Sequence, residues 1–153
     1  MLSPSLEDYL EEIYRFSLYN DIVRVTDIAK CLDVTMPSVS NAIRRLSRKG
    51  YLVYRKYEDL VLTDKGERLG RFLVERNQIL QDFFLLIESK CDVAKEAEAM
   101  EHYLSLPTIR AIQHLIDFLQ IHTDSYERFL NHYKCREEHG LGIIDGYNGK
   151  PEK

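Results

Sequence analysis

Five side chains in this sequence have the types and spacing to hold a divalent cation. Glu98, Glu101 and His102 form an E-x-x-E-H motif, and positions i, i+3 and i+4 share one face of a helix. Asp8 and Glu11 repeat the i, i+3 spacing near the start of the chain, on the face of a first helix opposite its apolar stripe. Oxygen-rich donor sets with a single imidazole suit Mn²⁺ or Fe²⁺ better than an ion that prefers thiolate. Either cluster alone is more often an ordinary solvated face. Two of them at compatible spacing, in a chain that also carries the module described next, make a candidate metal site.

The elements that must position these residues are mostly helical, since 153 residues contain only 7 Gly and 4 Pro. Leu6, Tyr9, Leu10, Ile13 and Phe16 recur at three- and four-residue steps, which predicts an amphipathic helix that starts after Pro4 and ends near Asn20. Ser5-Leu6-Glu7-Asp8 fits a capping box, with Ser5 as the cap. Val23 to Val25 reads as a short strand. Thr26 is placed to cap a second helix over Asp27 to Leu32. Asp33-Val34 turns the chain, and a third helix opens at Thr35 or Met36 with Pro37 in its first turn. Val39, Ala42, Ile43 and Leu46 form its buried stripe, and Gly50 stops it. Tyr51 to Arg55 and Leu60 to Leu62 read as a hairpin. A long helix, about Asp64 to Glu88, follows, then one over about Asp92 to Leu104. Another, begun by Pro107, carries an apolar seam from Ile109 to Leu119, and a last piece covers Ser125 to Tyr133.

Helix, short strand, helix-turn-helix and hairpin in that order make a winged helix, whose third helix fits the major groove of DNA. From Val34 to Tyr57 there is no Asp or Glu, while Arg44, Arg45, Arg48, Lys49, Arg55 and Lys56 bring a local charge of +6. With the apolar stripe inward, Ser38, Ser40, Asn41, Arg44, Arg45 and Arg48 remain for the outer faces. Asn41 suits adenine and Arg44 suits guanine or phosphate. Thr26 and Pro37 flank that face, and Arg55 and Lys56 on the hairpin reach backbone phosphates. A winged helix that only docks protein is the competing reading. The absence of acids across the whole motif favours double-stranded DNA.

The net charge of −4 does not oppose this, because the charge is segregated: five acids face two lysines between Glu88 and Glu101. The longest apolar run, Phe83 to Ile87, is five residues, against the ~20 of a membrane span. No secretory signal is visible at the start, and three widely spaced cysteines (Cys31, Cys91, Cys135) do not suggest a disulfide framework. These features point to the cytoplasm and to no membrane partner. Neither a nucleophile–base arrangement nor a Gly-rich phosphate loop is evident, so the expectation is not an enzyme.

The sequence resembles the DtxR/MntR family of metal-dependent transcriptional repressors, most closely its short manganese-responsive branch. The resemblance is carried by Pro4-Ser5-Leu6-Glu7-Asp8-Tyr9-Leu10-Glu11-Glu12-Ile13-Tyr14, Arg24-Val25-Thr26-Asp27-Ile28-Ala29, Gly50-Tyr51-Leu52-Val53-Tyr54, Leu60-Val61-Leu62-Thr63-Asp64-Lys65-Gly66 and Glu98-Ala99-Met100-Glu101-His102-Tyr103-Leu104-Ser105. The Leu-Thr-x-x-Gly wing is common to many winged helices, whereas the opening segment and the E-x-x-E-H-x-L-S segment are far more specific. The resemblance implies a mostly α fold with a small β-wing: a winged helix-turn-helix DNA-binding domain (residues 1–70) followed by an all-helical metal-binding and dimerisation domain (71–134), with 135–153 a mobile tail. It implies a homodimer that represses metal-homeostasis genes when metal binds, and it matches Asp8, Glu11, Glu98, Glu101 and His102 to ligand positions. Oxygen donors at Asp8 and Glu98, where the iron branch carries Met and Cys, favour Mn²⁺, with Fe²⁺ and other divalent transition metals as substitutes. The chain is too short for the SH3-like domain common in the iron branch.

One position departs. Where the long helix of the family supplies a His, this chain has Asn77. The site is then reduced to one metal, weakened or retuned, or metal control has been lost to another ligand or to redox at Cys91. A di-metal carboxylate protein is a further alternative, but it needs two Glu-x-x-His units, which the sequence does not supply. His132, Cys135 and His139 form H-x2-C-x3-H in the tail, too few ligands for a structural Zn²⁺ site.

Overall fold

The computed structural model describes residues 2–20, 22–54 and 59–138. Its elements run α1 (Pro4–Tyr19), α2 (Val25–Cys31), α3 (Met36–Arg48), β1 (Leu52–Val53), β2 (Val61–Leu62), α4 (Asp64–Leu86), α5 (Val93–Glu101), α6 (Leu106–Ile121) and α7 (Thr123–Glu138). This is a winged helix-turn-helix followed by an all-helical domain. The two strands pair antiparallel, Leu52 with Leu62 and Val53 with Val61.

The predicted stripes are the buried ones. Leu6, Tyr9, Leu10 and Ile13 of α1 meet Ile28 of α2 and Val39, Ala42, Ile43 and Leu46 of α3 in one core, closed by Leu52, Leu60 and Leu73. Full burial of such a side chain stabilises by roughly 1.5–3 kcal/mol, so this core, not the polar site beside it, holds α1 in place. A second core gathers Leu80, Phe84, Ala97 and Ile109. Helix α4 belongs to both, with Leu73 in the first and Leu80 in the second. Its approach to α1 is close at Gly70, where an added Cβ would lie 2.6 Å from Tyr14 Cβ.

Several boundaries differ from expectation for local reasons. Ser3, not Ser5, occupies the N-cap of α1, and Pro4 takes the first turn, where its missing N–H costs nothing. Val23 to Val25 is not a strand: Val25 already begins α2, and Val23 contributes one sheet-like bond, its carbonyl accepting from Leu60 N at 3.3 Å. Helix α2 starts before Thr26, with Arg24 at the cap and no side-chain bond. The turn between α2 and α3 places Asp33 at φ 49, a left-handed conformation that Asp tolerates. The hairpin tip, residues 55–58, lies outside the described residues, and with it Arg55 and Lys56. Helix α4 ends at Leu86 rather than Glu88, which has φ 52. Helix α5 ends at Glu101, leaving His102 as its C-cap, short of the expected Leu104. Helix α7 runs on both sides of the expected Ser125 to Tyr133 and takes in Cys135, where the tail was expected to begin. His139 and the glycines beyond it lie outside the described residues. Among the described residues, no helix is long and apolar enough to cross a membrane.

Candidate metal centre and nucleic-acid interface

Three elements meet beside the first core. Helix α1 brings Asp8 and Glu11, α4 brings Arg76, Asn77 and Gln81, and α5 brings Glu98, Glu101 and its cap His102. The polar face of α1 therefore does not look into solvent: Glu11 is buried, and Asp8 is partly covered. One open pocket is lined by Asp8, Glu11, Asn77, Gln81, Glu98 and Glu101.

At its edge, Asp8 and Glu101 meet His102: each of the three offers a ligand atom, all within 4.8 Å of one another. His102 Nε2 stands 3.1 Å from Asp8 Oδ1 and 3.6 Å from Glu101 Oε1. The other two expected ligands line the pocket outside this tight group. Glu11 is held by Arg15, whose Nη2 donates to Oε1 at 2.7 Å, an i, i+4 pair. Glu98 is exposed on α5.

The electrostatics favour a cation here. Burial pushes the Glu101 carboxyl above its ordinary range, and the nearby Glu11 adds to this, although the Asn77 hydrogen bond, Arg76 and His102 oppose it. Burial also raises the Asp8 carboxyl against the pull of His102, with Glu98 and Glu7 adding repulsion. Desolvated like charges in one cluster favour whatever neutralises them. The donor set of two carboxylates, one imidazole and no sulfur fits a hard divalent ion.

Four contributors were not identified from sequence. Arg76 is buried: its Nη1 donates to Glu7 Oε2 at 3.1 Å and its Nη2 lies 3.5 Å from Glu101 Oε1, while its Nε has no hydrogen-bond partner. Glu7 also meets His102 Nδ1 at 3.2 Å. Gln81 Nε2 donates to Asn77 Oδ1 at 2.6 Å, and Arg15 restrains Glu11. Asn77, at the departing position, donates from Nδ2 to Glu101 Oε2 at 3.0 Å. Both functions of its amide are thus engaged, and it occupies one oxygen of the best-buried carboxylate. One sequence signal was available: Leu73, Arg76, Asn77 and Leu80 sit at i, i+3, i+4 and i+7, so the buried stripe of α4 contains both polar residues.

On the other side of the first domain, α3 presents Pro37, Ser38, Asn41, Arg44, Arg45 and Arg48 to solvent, and Thr26 is exposed on α2. Ser40 is only partly exposed, and its carbonyl accepts from Arg44 Nε at 3.3 Å. Thr35 caps α3, its Oγ1 accepting from Ser38 N and lying 2.9 Å from Ser38 Oγ. Val34 and Met36 are exposed beside it. Lys65 is exposed beside this face, with its Nζ donating to Lys49 O at 2.8 Å and lying over the Tyr51 ring. Cys31 is exposed on α2, and burial and the bond to Glu12 push its thiol up, which disfavours the thiolate.

A winged helix whose first helix also walls an acidic pocket in the adjoining domain is the make-up of a metal-responsive DNA-binding repressor. Comparison with known proteins agrees. Residues 1–60 match the iron dependent repressor N-terminal DNA binding domain, and residues 63–130 match the iron dependent repressor metal binding and dimerisation domain. The chain belongs to the iron-dependent repressor family, whose members are transcriptional regulators, and it works as a homodimer on a DNA operator.

It is 40% identical to the HTH-type transcriptional regulator MntR of Shouchella clausii over 78% of this chain and 85% of that one. It is 36% identical to the MntR of Bacillus subtilis over 91% and 98%. Among solved structures, a manganese-dependent transcriptional repressor in complex with manganese aligns with TM-score 0.67 at 27% identity, covering 74% of this chain and 53% of that one. The metal-dependent regulator MtsR aligns with TM-score 0.65 at 29%, covering 76% and 55%. The chain spans about half the length of these two solved chains.

Proposed function

We propose that this chain is a manganese-responsive repressor of metal-homeostasis genes, acting in the cytoplasm as a regulator and not a catalyst. Residues 1–70 read the operator, and residues 71–134 hold metal and the partner protomer. Asp8, Glu101 and His102 form the inner ligand set, with Glu11 and Glu98 at its edge. Fe²⁺ and other divalent transition metals are the substitutes. The observation that carries this reading is the convergence of Asp8 from α1 with Glu101 and His102 from α5 within 4.8 Å. A bound Mn²⁺ supplies positive charge that neutralises this cluster. The chain does the rest: α1 is fixed to α4 and α5, and because α1 shares its core with α3, the recognition helix is held in one placement relative to the dimer core. The names of the MntR relatives and the manganese-bound neighbour support the choice of metal.

The deciding measurement is operator affinity in Mn²⁺ and in chelator. Coupling between two sites typically amounts to 1–3 kcal/mol, or about 5–150-fold, and Mn²⁺ is expected to tighten binding within that range. Equal affinity in both conditions would remove metal control and leave the family's DNA reader. Asn77 adds a second expectation, on stoichiometry. With its amide committed to Glu101 and Gln81, the wild-type chain should titrate with one Mn²⁺ per protomer in calorimetry. Asn77→His, which offers an imidazole to the same pocket, should titrate with two. Two ions in the wild type would show that Asn77 is no obstacle.

A further inference from the structure

The two ring nitrogens of His102 face different neighbours. Nε2 looks into the cluster, toward Asp8 and Glu101. Nδ1 looks out of it, 3.2 Å from Glu7 Oε2 and 3.5 Å from Arg76 Nη2. The two contacts at Nδ1 exclude each other, since a carboxylate needs a proton there and a guanidinium needs a lone pair. The carboxylate contact is shorter and charge-assisted, and Arg76 has carboxylate acceptors of its own in Glu7 and Glu101.

We propose that Glu7 is a positioning residue of the metal site: it accepts the Nδ1 proton of His102 and so fixes the tautomer whose Nε2 lone pair points at Asp8 and Glu101. Arg76 holds Glu7 in place from α4. A histidine that ligates metal commonly gives its other N–H to a carboxylate, which sets the ring orientation and raises its basicity. The arrangement has a particular consequence in this fold. Glu7 and Asp8 are neighbours on α1, so one turn of the DNA-binding domain supplies both a ligand and the support for a ligand on α5. A displacement of α1 disturbs both together, which makes the occupied site selective for one placement of that helix. Glu7 and Arg76 are well covered, with side chains 14% and 6% exposed, so solvent does not substitute for the contact.

This inference rests on the metal reading above, and its test separates the two. Nitrogen-resolved NMR of the His102 ring, in protein loaded with diamagnetic Zn²⁺, is expected to show the proton on Nδ1, shifted downfield by its carboxylate acceptor. In Glu7→Ala that downfield shift should be lost and the Mn²⁺ dissociation constant should rise about 10–100-fold, as for other outer-shell supports. Glu7→Gln keeps a neutral acceptor, so it should retain a hydrogen-bonded Nδ1 proton and lose less affinity, and it carries the test if the alanine variant does not fold. A downfield Nδ1 proton that persists in Glu7→Ala, or an Mn²⁺ affinity within twofold of wild type, overturns the proposal alone. Loss of affinity together with melting temperature, equal in both variants and without a change at Nδ1, assigns Glu7 a structural role and overturns it too. A wild-type chain that binds no Mn²⁺ overturns the metal reading itself.

Discussion

Glu101→Gln should weaken Mn²⁺ binding by at least about 100-fold, beyond the 10–100-fold typical of outer-shell changes, while leaving the metal-free protein as stable as before or more so. The two effects have opposite sign because Glu101 is a poor structural carboxylate and a good ligand. It is 2% exposed, and burial raises its carboxyl even with Asn77, Arg76 and His102 beside it. A raised folded-state value means that ionisation is disfavoured by the fold, so stability from this group is present at low pH and lost as pH rises through the folded value. A neutral amide of the same shape escapes that loss, and its oxygen still accepts from Asn77 Nδ2. Mn²⁺ is affected in the other direction, since the variant loses the best-buried negative charge of the cluster. Calorimetry in Mn²⁺ and urea denaturation in chelator measure the two separately. At 100 times its dissociation constant, a ligand stabilises by about 2.7 kcal/mol, a rise of roughly 5–10 °C in a chain of this size. The wild type should show that rise at a Mn²⁺ concentration where the variant shows almost none. Unchanged Mn²⁺ affinity would remove Glu101 from the ligand set. A large loss of metal-free stability would make it a counterion of Arg76 instead.

That reversal could not be read from spacing. The E-x-x-E-H motif and the Asp8–Glu11 pair were legible because i, i+3 and i+4 geometry is local, and α1 and α5 realise it as helices. How deeply each member is buried is decided by the crossing of α1, α4 and α5, between residues 24 to 95 positions apart. The motif treats Glu98 and Glu101 alike, yet one is exposed and the other nearly sealed. The core was more legible than the site. Apolar stripes at a 3.6-residue period have one stable solution in water, so α1 and α3 bury the predicted residues. Element ends were less so: Ser3 or Ser5 can cap α1, and Pro4 in the first turn settles it. The run Val23 to Val25 has strand-forming residues but, among the described residues, a single backbone bond to the wing, too little to compete with the start of α2. Arg76 and Glu7 went unnoticed because a charged residue announces a solvated face unless its stripe is examined. In α4 that stripe, Leu73 through Leu80, already placed Arg76 and Asn77 inside.

The basic surface carries the other large effect. Arg44, Arg45, Arg48 and Lys49 are exposed at the recognition helix, and a homodimer presents each of them twice. If all engage phosphate, eight cations displace counterions, and log affinity should fall with log salt at a slope of about −7. Contact sets of this size lose roughly 10³–10⁵ in affinity between 50 and 200 mM salt. Operator binding in saturating Mn²⁺, measured by fluorescence anisotropy across that range, gives the slope. Arg48→Ala removes two charges from the dimer and should flatten it by about 1.8 while weakening specific and nonspecific DNA alike. Asn41→Ala should leave the slope unchanged and cost discrimination between operator sequences, about 1–3 kcal/mol for each base pair it reads. The net charge of −4 makes the contrast informative. The acids that outnumber the bases are concentrated elsewhere, five of them between Glu88 and Glu101, so a steep slope requires the recognition helix and not the molecule as a whole to meet the DNA. A slope near zero, or one that Arg48→Ala does not change, would place the operator contact on another face.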